Sequence, residues 1–197
     1  NNGQCNNNYT GYLYDANVMY KNDEAMTLNS ATSTLTLPAN IAGDNIEWAG
    51  LYWQGHIAGQ NASDYTSSAM IQNRGNVTFR LPDGTTQNIT ADNIWYHDFW
   101  GDGTGNGGGY RSFYQGYKDV TSLVKSHLVN GISQAFTVGN IKANNGLDWY
   151  SYFYLGENAE FNGFKIGFWG NWSLIVIYKY SPDSLPSGAK VKNVNVF

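Results

Sequence analysis

Asn45-Ile46-Glu47-Trp48-Ala49-Gly50-Leu51-Tyr52-Trp53-Gln54-Gly55-His56-Ile57 decides the fold class. Side chains of an extended chain alternate between two faces, and this run follows that period, with Ile46, Trp48, Gly50 and Tyr52 on one face. Downstream, residues 75 to 90 read as a hairpin. Val77 and Phe79 lead into Pro82-Asp83-Gly84 and Ile89 lies on the return; Asp-Gly between alternating runs suits a tight reversal. Further strands are expected at 33 to 37, 134 to 141, 149 to 155 and 190 to 197. The nearly continuous apolar run from Trp172 to Tyr178 reads as a central strand covered on both faces, or as one in the sandwich core. One segment breaks the pattern. Between Asp119 and Gly131 the apolar residues Val120, Leu123, Val124 and Leu128 fall at helical spacing, with Asp119 placed to cap the start and Asn130-Gly131 to end the helix. Many short strands around one helix predict a mainly β fold: a β-sandwich with one short helix and a long Gly- and aromatic-rich loop.

The 197 residues suit a single β domain spanning 1–197. Only 13% of them are charged, roughly half the usual share. Polarity comes instead from Asn, Ser, Thr, Gly and 15 Tyr, as in secreted β proteins. A net charge of −4 without a basic cluster argues against a nucleic-acid partner. No apolar run approaches the ~18 residues that would span a bilayer, so direct membrane insertion is not expected. The lone Cys5 is read as an incidental residue of an Asn-rich start. The chain begins at Asn1 and ends within the alternating Val191-Lys192-Asn193-Val194-Asn195-Val196-Phe197, and is read as covalently part of a longer protein.

Four blocks carry a resemblance. They are Ala49-Gly50-Leu51-Tyr52-Trp53-Gln54-Gly55, Tyr117-Lys118-Asp119-Val120-Thr121-Ser122-Leu123-Val124, Phe136-Thr137-Val138-Gly139-Asn140-Ile141 and Gly170-Asn171-Trp172-Ser173-Leu174-Ile175-Val176-Ile177-Tyr178. In this order the chain resembles a β-sandwich module of large secreted and surface-anchored bacterial adhesins. Within that group it is similar to the peptide-binding domains of calcium-dependent, RTX-type adhesins. The resemblance implies an extracellular place on the bacterial cell surface and a role in cell adhesion. The stretch 95 to 117 departs from the pattern of such modules and reads as an inserted loop, where binding commonly resides.

That loop holds the candidate site. Asp102, Thr104 and Asn106 stand at alternate positions before Gly107, and Asp98 offers a further oxygen. Oxygen ligands at positions 1, 3 and 5 followed by a glycine suit Ca2+, although Phe113 stands where an EF-hand needs its bidentate Glu. Asp98, Asp102, Thr104 and Asn106 are thus the candidate metal ligands. Around the glycines, Trp100, Tyr110 and Tyr114 offer aromatic faces to a peptide or a glycan, and Arg111 can grip a carboxylate. Trp95 and Phe113 are expected to cover the core instead.

Catalysis is not expected. The sequence pairs no two carboxylates, His56, His97 and His127 lack metal-ligand spacing, and there is no Gly-x-Ser-x-Gly. The reading is therefore a calcium-dependent adhesin-type module that binds a peptide or glycan on another cell or surface. The alternative is a structural or assembly module of a surface filament or stalk, pairing through its terminal strand. Millimolar Ca2+ is expected to raise the midpoint of thermal unfolding, and EDTA to reverse the rise. Linkage gives roughly 3 kcal/mol at a hundredfold excess over the dissociation constant, which differential scanning calorimetry would detect.

Overall fold

The computed structural model describes residues 29–59, 69–100, 110–129, 133–143, 169–188, 190 and 194. Its strands are β1 (Ser30–Thr36), β2 (Ile46–Gly59), β3 (Asn76–Arg80), β4 (Thr86–Thr90), β5 (Asn93–Trp100), β6 (Tyr110–Asp119), β7 (Ser133–Gly139) and β8 (Gly170–Tyr178). A single helical turn, α1 (Ala69–Gln72), precedes β3, and the short helix α2 (Thr121–His127) follows β6. The strands form two antiparallel sheets of four, ordered β1-β7-β3-β4 and β5-β6-β2-β8. This is the mainly β, sandwich-like architecture that the alternation predicts.

Each sheet turns its apolar residues towards the other. Ala31, Val77, Phe79, Ile89, Phe136 and Val138 come from the first sheet; Ala49, Leu51, Trp53, Ile57, Tyr114 and Trp172 come from the second. Phe79 and Phe136 stack at 5.7 Å between ring centroids. Two indoles of the second sheet donate their N–H groups to carbonyls outside it, Trp172 to a strand of the first sheet and Trp53 to the turn before β3. Trp172 donates to the Ala31 carbonyl at 3.0 Å, and Trp53 to the Arg74 carbonyl at 3.1 Å. Buried donors need such partners, because an unmade bond costs about 1–3 kcal/mol.

In β2 the period-two reading holds from Trp48 onward, with Trp48, Gly50 and Tyr52 on the outer face. Ile46 does not join them. The β2–β8 register shifts between Ile46 and Trp48, and this irregularity returns Ile46 to the core. The predicted hairpin forms as β3 and β4, with Val77 opposite Ile89. Its turn is held by bonds from the Gly84 amide to the Leu81 carbonyl and from the Thr85 amide to the Asp83 carboxylate, both 2.9 Å.

The apolar run in β8 is not a central strand, though Trp172 joins the core and Leu174 and Val176 pack against it. Among the described residues β8 is the outermost strand of its sheet, and Ile175 is 40% exposed. The helix is shorter than the span read from its periodicity. Asp119 still serves its start, accepting the Thr121 amide at 2.9 Å from one residue before the Val120 cap. β2 is coupled to this corner, since Val120 donates to the Ala49 carbonyl and the Ala49 amide to the Thr121 hydroxyl, each at 2.9 Å. The strand expected at 149 to 155, residues 130 and 131 and most of 190 to 197 lie outside the described residues.

The core places one strict demand on sequence. Trp53 faces Gly116 across the β2–β6 ladder, and a Cβ at 116 would stand 2.4 Å from its indole. Only glycine leaves that space. Gly116→Ala is expected to lower stability by about 1–3 kcal/mol, the usual cost of overpacking. A urea titration would show this as a lower midpoint with an unchanged slope.

Candidate functional site

Because Trp53, Tyr114 and Trp172 turn inward, their neighbours in sequence turn outward, and the register aligns those neighbours into rows. In one row Trp95, Gln115, Gln54 and Asn171 follow one another across β5, β6, β2 and β8. On one side of it lies the row Asn93, Tyr117, Tyr52 and Ser173; on the other, His97, Phe113 and His56. Successive rows are about 6.8 Å apart along the strands and neighbours within a row about 4.8 Å. The face is therefore a polar strip between two aromatic ones.

Ring contacts fix both aromatic strips. Tyr52 and Tyr117 meet at 5.0 Å between centroids, and Trp48 stacks beyond them on Tyr117 at 6.5 Å. To reach that position the Trp48 indole crosses Gly50, where a Cβ would come within 2.3 Å of the ring. On the other side His56 and Phe113 stack at 4.4 Å, and Trp169 continues the stack 6.4 Å from Phe113. Burial, reinforced by Asp119 and Tyr52 and opposed by a bond with Trp48, pushes the Tyr117 phenol above its ordinary value. It therefore stays neutral at physiological pH.

Between the strips lies a groove of about 210 Å³ lined by Tyr52, Trp53, Gln54, Gln115, Asn171, Trp172 and Ser173. The Trp53 and Trp172 rings point to the core, so these residues supply its floor, while Tyr52, the three amides and the Ser173 hydroxyl supply its walls. Among the described residues, none that lines the groove carries a charge. Trp95 stands at one end of the polar row, 54% exposed. It was expected to cover the core, but it lies on β5, the outer strand of its sheet among the described residues, where Ile94 and Tyr96 on the opposite face are exposed as well. Phe113 covers its own sheet's outer surface through the His56 stack.

The residues singled out in the 95 to 117 stretch separate under the same parity. Much of that stretch is the long β5–β6 hairpin rather than loop, with Trp100 opposite Tyr110 at its far end. Arg111 lies on the outer side but is 4% exposed. Tyr114 lies on the inner side at 3% exposure and donates its hydroxyl to the Lys142 carbonyl at 2.8 Å. Its ring is part of the core, not a contact surface. Asp98 also points inward. Arg74 donates Nη1 to its two carboxylate oxygens at 3.1 and 3.2 Å and to the Ser112 hydroxyl at 3.0 Å, while the guanidinium lies 3.8 Å over the Tyr96 ring. That carboxylate neutralises a buried cation, so the calcium reading is left to the other three ligands. Asp102, Thr104 and Asn106 lie outside the described residues, as do the side chains of Trp100 and Tyr110. Among the described residues no group of three or more His, Cys, Asp or Glu side chains could hold a metal ion.

Sequence reasoning passed over Gln54, Gln115, Asn171 and Ser173 as site residues. Each is an ordinary polar member of an alternating run, and the signal that joins them is cross-strand register. Comparison with known proteins adds no relative: no family model, curated protein or solved structure matches the chain.

The Arg74–Asp98 pair anchors α1 beneath the β5–β6 hairpin. Asp98→Ala leaves a buried guanidinium without its counter-charge and is expected to cost about 3–5 kcal/mol. Lys179→Ala, which breaks the exposed pair with Glu47, is expected to do far less. Urea midpoints of the two variants test the contrast.

Proposed function

We propose that the chain is an extracellular, adhesin-type binding module of a bacterial surface protein. It holds a peptide or glycan of a target surface against the outer face of the β5-β6-β2-β8 sheet. The observation that carries the reading is the face itself, a row of neutral amides between two aromatic strips, with Trp95 exposed at its edge. Aromatic rings supply large, stiff contact area, and their place on paired strands keeps the ordering cost of binding low. Calcium enters the proposal through Asp102, Thr104 and Asn106, whose side-chain oxygens, at alternate positions of the sequence, suit a hard cation.

A second reading, assembly by strand pairing, is favoured by one observation. β5 is the outer strand of its sheet among the described residues, and its neighbours Ile94, Trp95 and Tyr96 are all exposed. Exposed apolar edge strands are templates for pairing. Association that grows with concentration in analytical ultracentrifugation would favour this reading over binding.

Arrays of synthetic peptides and of glycans test the proposal. The native chain is expected to give discrete signals that fall sharply in Trp95→Ala and in Tyr52→Ala. Undiminished signals in the chain carrying both substitutions would remove this face from the proposal.

A further inference from the structure

We propose that the groove across β6, β2 and β8 is a saccharide subsite. Gln54, Gln115, Asn171 and Ser173 hydrogen-bond the hydroxyls of one uncharged sugar residue, whose apolar ring face lies against Tyr52. The proposal rests on the reading of this face as the ligand surface and names the ligand's chemical class.

The first argument is the inventory of groups. A sugar hydroxyl donates and accepts at once, and neighbouring hydroxyls on a ring present both roles side by side. A carboxamide offers two N–H donors and a carbonyl acceptor in one plane, and a serine hydroxyl offers both roles from one atom. Three amides and one hydroxyl meet in the groove. No side-chain hydrogen bond ties Gln54, Gln115, Asn171 or Ser173 to another described residue, so their capacity is open to a ligand. Among the described residues the lining holds no carboxylate or cation, so these residues offer a phosphorylated, sulfated or acidic ligand no counter-charge for its desolvation.

The second argument is geometric. An extended peptide gains most of its affinity by adding a strand to a sheet edge, where backbone groups lie in the plane of the sheet. This groove lies on the face, over the central strand β2, whose ladder groups are taken by β6 and β8. A peptide laid there would cover its own amides and carbonyls without ladder partners. A sugar ring suffers no such loss, because its hydroxyls radiate sideways to the amides while its C–H face meets an aromatic ring. Size agrees. Pockets that enclose whole drug-sized ligands run about 300–1,000 Å³, and the groove's 210 Å³ suits one ring of a longer chain. The rings beyond that one would pass over the flanking strip of Tyr117 or that of Phe113, about 6.8 Å to either side.

The probes are maltotetraose, cellotetraose, mannotetraose and N-acetylchitotetraose, titrated into the full chain by calorimetry and by 1H–15N NMR. At least one is expected to bind, with shifts centred on the side-chain amides of Gln54, Gln115 and Asn171. Gln115→Ala and Asn171→Ala are each expected to weaken binding by about tenfold, the scale of one hydrogen-bonding group. Their unfolding midpoints should be unchanged, and affinity should hold through a roughly tenfold rise in salt. Peptide signals lost in Trp95→Ala, together with no binding of any neutral glycan on the array, would overturn the saccharide subsite and leave the binding face standing. Loss of both ligand classes would overturn the two together. Saccharide binding indifferent to both amide substitutions would place the sugar elsewhere and overturn the subsite alone.

Discussion

Trp53 and Trp172 face one another across the β2–β8 ladder, and both indoles turn inward to bond carbonyls of different elements, Arg74 and Ala31. Gly116 leaves the space that the first of them fills. This pair of buried donors constrains everything around it. Side chains on a strand alternate strictly, so a slip of one residue would expose two indoles and bury the amides that now face water. Holding Trp53 and Trp172 inward therefore holds Tyr52, Gln54, Asn171 and Ser173 outward. The composition of the core and the composition of the opposite face are the same decision.

The polar groups of that face also follow from the chain's shortage of charge. Where other β proteins cover an exposed sheet with Lys and Glu, this one uses carboxamides, hydroxyls and phenols. The ion pairs the structure describes line no part of the groove: Lys118 with Asp92, Lys179 with Glu47, and Arg74 with Asp98 on the inner side, while the His127 ring bonds the Asp83 carboxylate at the hairpin turn. Lys118 and the Asp119 amide hold the Asp92 carboxyl below its ordinary value. Among the described residues these pairs leave the groove itself without a charge.

Most of the fold was legible in the sequence because its signals are local. Alternation marked β2, the hairpin of β3 and β4 announced itself through Asp83-Gly84, and helical spacing located α2. Ile46 was misassigned because a bulge is one residue long and no periodicity records it. The site was far less legible. The 95 to 117 stretch drew attention through glycines and aromatics, yet whether Trp95 or Tyr114 is exposed depends on each strand's place in the sheet and on which face the side chain takes, not on neighbouring glycines. Trp95 proved exposed and Tyr114 buried. The groove draws on β2, β6 and β8, separated by long stretches of chain. Its residues become neighbours only through register, which a single sequence does not display.

Gly50 shows what such a surface asks of evolution. It lies on the outer side, has no side chain, and touches neither core nor groove lining. Yet the Trp48 indole rests across it on the way to Tyr117, and any Cβ there would lift the ring. Gly50 is itself buried beneath that indole, although it belongs to the outer side of its sheet. Position 50 is as restricted as an interior one, and its restriction is inherited from the aromatic platform it supports.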